Sequence, residues 1–142
     1  TGVIPIMLNK VEANEAPQIN GDGTQAYDFV SVYDTARCNV LALQSEATDE
    51  FYNVGTGVQT SIKELCDTIL EMKDSKLEVQ YNPYSADDAR RMVQNRIGCP
   101  IKAEKDLGFK YDISLREGLQ RLMDWRIENG VDRAECKKKS AA

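Results

Sequence analysis

Residues 18–57 read QINGDGTQAYDFVSVYDTARCNVLALQSEATDEFYNVGTG, and the fold turns on this stretch. Two glycine-rich turns, Gly21-Asp22-Gly23 and Gly55-Thr56-Gly57, bracket it. Glycine admits positive φ and lets backbone approach backbone or ligand closely. The spacing predicts a hairpin in which Gln18–Asn20 and Thr24–Gln25 flank the first turn. A strand is expected over Ala26–Val32, with Tyr27, Phe29 and Ser31 on one face. Asp34 is the expected N-cap of a helix over Thr35–Ser45. Val40, Leu41 and Leu43 mark that helix as well buried, and Phe51–Val54 reads as a short strand before the second turn.

Outward from this stretch the pattern is helix-rich. Val3–Glu15 has Ile4, Met7, Leu8 and Val11 at helical spacing, with Pro5 tolerated in the first turn. Ser61-Ile62-Lys63-Glu64 is a capping box that opens a helix with an apolar stripe from Ile62 to Met72. Leu77–Tyr81 alternates as a strand. Asn82–Arg91, with Pro83 and the acidic-then-basic run Asp87–Arg91, reads as a mobile loop. Pro100 starts a short helix through Asp106 that stops at Gly108. Ser114-Leu115-Arg116-Glu117 is a second capping box and opens a helix to about Asn129, closed by Gly130.

The 142 residues are enough for one domain with a proper core. The formal net charge is −5, which argues against nucleic acid or an anionic membrane as main partner. No apolar run reaches the length of a membrane span. The chain opens at Thr1 without an initiator Met, and its start lacks the basic residues and cleavage site of a secretory leader. A piece of a longer protein is therefore expected. Four cysteines without a CxxC pair, and no histidine, argue against a zinc site, and reduced thiols in the cytoplasm are the expected setting. Without histidine there is no Ser/His or Cys/His pair for nucleophilic catalysis. The carboxylate pairs Asp49-Glu50 and Asp87-Asp88 lie on polar loops and read as solvated.

The motif GDGxQxxDFxxVxDxAxxxxLAL followed by YNVGTGxxxSIxEL resembles the C-terminal half of the extended short-chain dehydrogenase/reductases. These are the NAD-dependent nucleotide-sugar epimerases and dehydratases, with UDP-glucose 4-epimerase the familiar member. The resemblance covers Val3 to Trp125. It implies an α/β fold: the small substrate-binding C-terminal domain of an NAD(P)-binding Rossmann-type epimerase. Such a domain has few short strands, about five helices and no complete dinucleotide-binding sheet. Residues 1–130 are then a nucleotide-sugar-binding domain and 131–142 a disordered charged tail.

The function implied is that of an isomerase of carbohydrate metabolism. The parent enzyme would epimerise a UDP-sugar by transient oxidation at C4 with bound NAD. Dehydratases and decarboxylases begin with the same oxidation, so both stand as alternatives. This chain lacks the glycine fingerprint of a dinucleotide cradle, and no tyrosine has a lysine four residues on, the pair that handles the proton in the family. An inactive portion that binds no NAD itself is expected. The alternative is a stand-alone binding or self-associating module, held together by the apolar face that the dinucleotide half would otherwise cover.

The resemblance also points to a substrate site. Pro5, Ile6, Gln18, Ile19 and Asn20 are the expected base slot, with backbone at Gln18 and Asn20 reading a pyrimidine edge. By residue type alone Ile6 and Ile19 are core. In the family an arginine just before the Asp-Phe pair meets the diphosphate, but Tyr27 stands there, a hydrogen-bond donor without charge. A second family arginine comes from a later loop, where Arg90, Arg91 and Arg96 lie. Arg90 and Arg96 are the choices, and the register stays open.

Overall fold

A computed structural model describes residues 2–85, 87, 90 and 92–130. Its described helices are α1 (Val3–Glu12), α2 (Val32–Gln44), α3 (Ile62–Met72), α4 (Ile101–Leu107) and α5 (Leu115–Glu128). The strands are short: β1 (Gln18–Asn20), β2 (Ala26–Tyr27), β3 (Thr60–Ser61), β4 (Gln80–Asn82) and β5 (Asn95–Arg96). The expected small α/β architecture is present. β1 pairs in parallel with β4, while β2 lies between antiparallel β3 and parallel β5.

The hairpin expected around Gly21-Asp22-Gly23 does not form. The turn exists, with φ of +80° at Gly21 and +79° at Gly23, but it passes the chain from one sheet to the other. The Asp22 carboxylate accepts from the Thr24 amide at 2.9 Å and the Thr24 hydroxyl at 2.7 Å, a local turn that competes with strand pairing. The Gly21 amide donates instead to the Asn82 carbonyl, extending the β1–β4 ladder.

Other boundaries shift for identifiable reasons. α1 stops at Glu12 rather than Glu15 because Asn14 adopts a φ of +56°, which asparagine tolerates. β2 ends at Tyr27 because the next carboxylate, Asp28, is engaged by a glycine turn, and Ser31 then caps α2. Asp34 is therefore not the N-cap: it lies in the first turn of α2 and is 1% exposed. α2 is also less buried than its composition suggests. Only Asp34 and Cys38 are buried in it, and Leu43 is 86% exposed, because α4 and Phe109 cover one side alone. The expected Phe51–Val54 strand joins no sheet, and Phe51 is 91% exposed while Tyr52 and Val54 pack inward. Of the strand expected at Leu77–Tyr81, only the end is in the ladder, shifted to Gln80–Asn82.

Both long helices start where expected, but only the first forms the reciprocal box, since the Glu117 carboxylate turns to Arg121. Ser61 and Glu64 form the reciprocal capping box of α3, and Ser114 accepts from the Glu117 amide at α5. Pro100 caps α4, which ends at Gly108 in the left-handed conformation. The expected mobile loop at Asn82–Arg91 and the tail at 131–142 lie partly and wholly, respectively, outside the described residues.

Two apolar clusters make the core. The larger joins α1, β1, α3 and α5 through Met7, Leu8, Ile19, Leu65, Cys66, Ile69, Leu119 and Met123. Burial pushes the Cys66 thiol up to about 11, so it is an inert core group. The smaller cluster holds Cys38, Ala103, Leu107 and Phe109. Asp34 connects the two. It accepts from the amides of Asp112 at 3.0 Å and Ile113 at 3.1 Å, and pairs with Arg37 at 2.9 Å. This ties α2 to the segment leading into α5. No helix among the described residues is long and apolar enough to cross a membrane.

Burial opposes ionisation of Asp34, but the hydrogen bonds from Arg37, Asp112 and Ile113 outweigh it and hold the carboxyl below its ordinary 3.8. A depressed folded-state value contributes stability above the ordinary value, lost as pH falls through the folded one. Asp34→Asn is therefore expected to cost about 2–4 kcal/mol at neutral pH. The gap between variant and parent, followed by chemical denaturation, narrows as pH falls below 3.8.

Candidate functional site

A groove of about 530 Å³ opens where α1 crosses the ends of β1 and β2. That is within the usual size of a small-molecule site. Helical spacing places Val3, Ile6, Met7 and Lys10 along one side, and strand alternation places Gln25, Tyr27 and Phe29 along the other. β1 contributes Gln18, Ile19 and Asn20, and Ile62 of α3 closes the end. The Tyr27 and Phe29 rings meet edge to face, with centroids 6.4 Å apart and planes at 72°. They form an apolar wall of the kind on which a flat ring rests.

Of the residues expected at the base slot, Ile6, Gln18, Ile19 and Asn20 come together here with Tyr27. Ile19 is also fully buried core, so it is floor rather than contact surface. Pro5 sits in the first turn of α1 and does not line the groove. Arg90 is exposed and does not line it, and Arg91 lies outside the described residues. Arg96 lies on β5, in register with Tyr27. Sequence reasoning passed over Met7, Lys10, Gln25 and Phe29. Their signal was present in the i, i+3, i+4, i+7 spacing from Val3 and in the alternation from Gln25.

Gln25 is buried. Its Nε2 donates to the Asn20 carbonyl at 3.0 Å, while its Oε1 has no hydrogen-bond partner. Gly21, beside the groove, carries the Tyr84 ring against its backbone: a Cβ there would lie 2.1 Å from the ring. Behind β2, Asp28 gathers two loops. Its carboxylate accepts from the Thr56 amide at 3.0 Å, the Thr56 hydroxyl at 2.6 Å, the Gly57 amide at 3.0 Å and the Gly98 amide at 3.3 Å.

This arrangement answers whether the chain can cradle a dinucleotide. Such a cradle presents free backbone amides from a glycine turn at a helix start. In the second glycine turn the Thr56 and Gly57 amides are already committed to Asp28. The described sheets hold two and three strands. Among the described residues, this glycine turn does not offer such a cradle. Among the described residues no group of three or more His, Cys, Asp or Glu is placed to hold a metal ion.

A second groove, of about 430 Å³, lies on the other side of Phe29, which lines both. It runs between Ile4, the segment Val30–Tyr33, and Leu115, Leu122 and Trp125 of α5. Val32 and Tyr33 are 74% and 65% exposed on its rim.

Known proteins match this architecture. Residues 1–55 fit the model of the NAD dependent epimerase/dehydratase family. Over 128 residues the chain is 39% identical to a putative UDP-glucose 4-epimerase of Methanocaldococcus jannaschii, covering 90% of this chain and 40% of that protein. It is 25% identical over 130 residues to the dTDP-D-glucose 4,6-dehydratase of Homo sapiens, covering 89% of this chain and 37% of that one. Among solved structures it matches the UDP-glucose 4-epimerase of Thermotoga maritima with UDP-glucose. The TM-score is 0.81 at 30% identity, covering 93% of this chain and 41% of the other. The chain thus spans about 40% of the length of the relatives it matches. Fold and sequence define a small α/β portion of the epimerase/dehydratase fold. The chain belongs to the NAD-dependent epimerase/dehydratase family and spans part of the length of its members.

Gly55 has an ordinary φ, yet a Cβ there would lie 2.5 Å from Asp28 Oδ2 and 3.3 Å from the Gly98 Cα. Gly55→Ala is expected to cost about 1–3 kcal/mol. In an Asp28→Ala background the same change costs less, because the opposing carboxylate is gone. Thermal melts of the two single variants and the double variant check this, and additive losses would contradict it.

Proposed function

We propose that residues 1–130 form the nucleotide-sugar-binding domain of an NAD-dependent epimerase. The parent acts on a UDP-sugar by 4-epimerisation through transient oxidation at C4. The observation that carries this reading is the groove itself. It joins an apolar slot beside the Tyr27–Phe29 ring pair to the polar strand end at Gln18 and Asn20. A pyrimidine asks for this combination: flat apolar contact on its face, and a donor and acceptor at its edge. The Thermotoga maritima relative was solved with UDP-glucose, which supports the same ligand class here. A 4,6-dehydratase parent rests on the same groove and on the likeness to the human dehydratase. Both begin at C4, so the difference lies in the parent's remaining portion.

In this reading the chain binds and orients the sugar's nucleotide handle and leaves hydride and proton transfer to the rest of the parent, NAD included. The setting is the cytoplasm. Titration of UDP into the chain is expected to raise Tm saturably, by the equivalent of roughly 2.7 kcal/mol at a hundredfold excess over Kd. Ile6→Glu abolishes the rise without unfolding the chain, since Ile6 is half exposed on the groove rim. No shift with UDP or any UDP-sugar overturns the reading. Turnover of a UDP-sugar by the chain with NAD overturns the division of labour.

A second reading concerns association, and the second groove favours it. Val32, Tyr33 and Trp125 present apolar surface to water, in relatives of which this chain spans about 40%. In the isolated chain a second copy is what is available to cover that face. Light scattering is expected to give a mass that grows with concentration, and Val32→Glu with Trp125→Glu returns it to the monomer. A monomer at every concentration sinks this reading and leaves the first untouched.

A further inference from the structure

The groove's polar end and its ring wall come from different sheets. Gln18 and Asn20 belong to β1, which pairs with β4, while Tyr27 belongs to β2, between β3 and β5. Among the described residues no backbone ladder joins the two sheets, so the spacing of the groove depends on what crosses between them. Gln25 crosses. Its carbonyl accepts from the Ile62 amide at 2.9 Å, which fixes its backbone at the start of α3. Its side chain reaches back to the other sheet, where Nε2 donates to the Asn20 carbonyl at 3.0 Å. Turned the other way, the amide would set its oxygen against the Asn20 carbonyl oxygen, so the partner decides the orientation. Oε1 is then left over. Gln25 is 7% exposed, and Oε1 is buried with no hydrogen-bond partner among the described residues. A buried acceptor without a donor costs stability, and an apolar side chain of the same length avoids that cost. The Asn20 carbonyl has an alternative as well: Asn20 is an exposed residue, so water can replace the amide there. The fold alone therefore gains little from an amide at this position.

We propose that Gln25 is a positioning residue of the groove. It holds the strand end at Asn20 at a set distance from the Tyr27–Phe29 wall, and the protein carries an unmade hydrogen bond to keep it there. A ligand that touches both walls meets them already spaced, so less ordering is left to the binding step. Gln25 acts through Asn20 and needs no contact of its own with the ligand. A position that lowers stability while it prepares a binding site is the kind of local conflict that folded proteins retain where function requires it. The inference rests on the nucleotide-sugar reading for the identity of the ligand; the opposition of stability and affinity at this one residue is its own claim.

Gln25→Met keeps the length of the side chain and removes both polar atoms of the amide. Thermal melts, with calorimetric titration of UDP at a temperature where parent chain and variant are both folded, test the proposal. Tm is expected to hold or rise, because the acceptor without a donor is gone, while UDP binds about 10-fold more weakly. A residue that only supports the fold moves the two readouts differently: Tm falls and the affinity of the folded chain stays. Unchanged UDP affinity in Gln25→Met overturns the proposal and leaves the nucleotide-sugar reading standing. A lower Tm overturns it too, whatever UDP does, because the amide is then an ordinary structural contact. A parent chain that does not bind UDP overturns the nucleotide-sugar reading and this inference with it.

Discussion

One carboxylate holds the middle of this molecule together. Asp28 accepts from the Thr56 amide and hydroxyl and from the amides of Gly57 and Gly98, drawing two distant loops onto the end of β2. An ionised carboxylate satisfied by several donors is a strong local anchor, and buried backbone amides need partners. The loops come so close that a Cβ at Gly98 would lie 3.2 Å from Asp28 Oδ2 and 3.4 Å from the Gly55 Cα. Because Asp28 fixes both neighbours of β2, a two-residue strand can stand at the centre of a sheet. The register of Tyr27 with Thr60 and Arg96 follows from that anchoring.

Helix starts were the most legible part of the sequence. Ser61 and Ser114 announce them through hydroxyls that accept from amides of their own helices, and Pro100 through a ring that fixes its own backbone, so each signal is local and readable. Strand pairing was not legible in the same way. Gln18–Asn20 finds its partner at Gln80–Asn82, far along the chain, and nothing around Gly21-Asp22-Gly23 distinguishes a hairpin from a turn between sheets. Asp34 shows the same limit. Its place before an apolar run reads as a cap, but its partners are Asp112 and Ile113, contacts that only tertiary structure supplies. The groove residues fell between these cases. Ile6, Gln18, Asn20 and Tyr27 could be named from the family pattern, whereas periodicity placed Lys10 and Phe29 on faces without showing that α1 and β2 bring those faces together.

Asp34 and Asp28 solve different problems with the same group. Asp28 joins loops around a strand, while Asp34 joins a half-covered helix to the core. α2 buries little apolar surface of its own, so its position depends on that carboxylate and on Arg37, which also reaches Asp112 at 3.1 Å and lies over the Phe109 ring. The face of α2 that α4 and Phe109 do not cover is exposed and apolar at Val40 and Leu43. Arg126 does the equivalent work for α5, meeting Glu12 at 2.8 Å on α1.

The commitment of the glycine-turn amides to Asp28 also decides how this chain can treat a phosphate. A fold that keeps such amides free binds anions with its backbone and needs few cations. Here the Thr56 and Gly57 amides are engaged inside the protein. Lys10 on the groove wall is shared with Glu15 at 3.6 Å. In a chain of net charge −5 a cation free of carboxylates is scarce, and its position carries more information than the overall balance. In the three-stranded sheet, strand register sets which side chains stand together on one face.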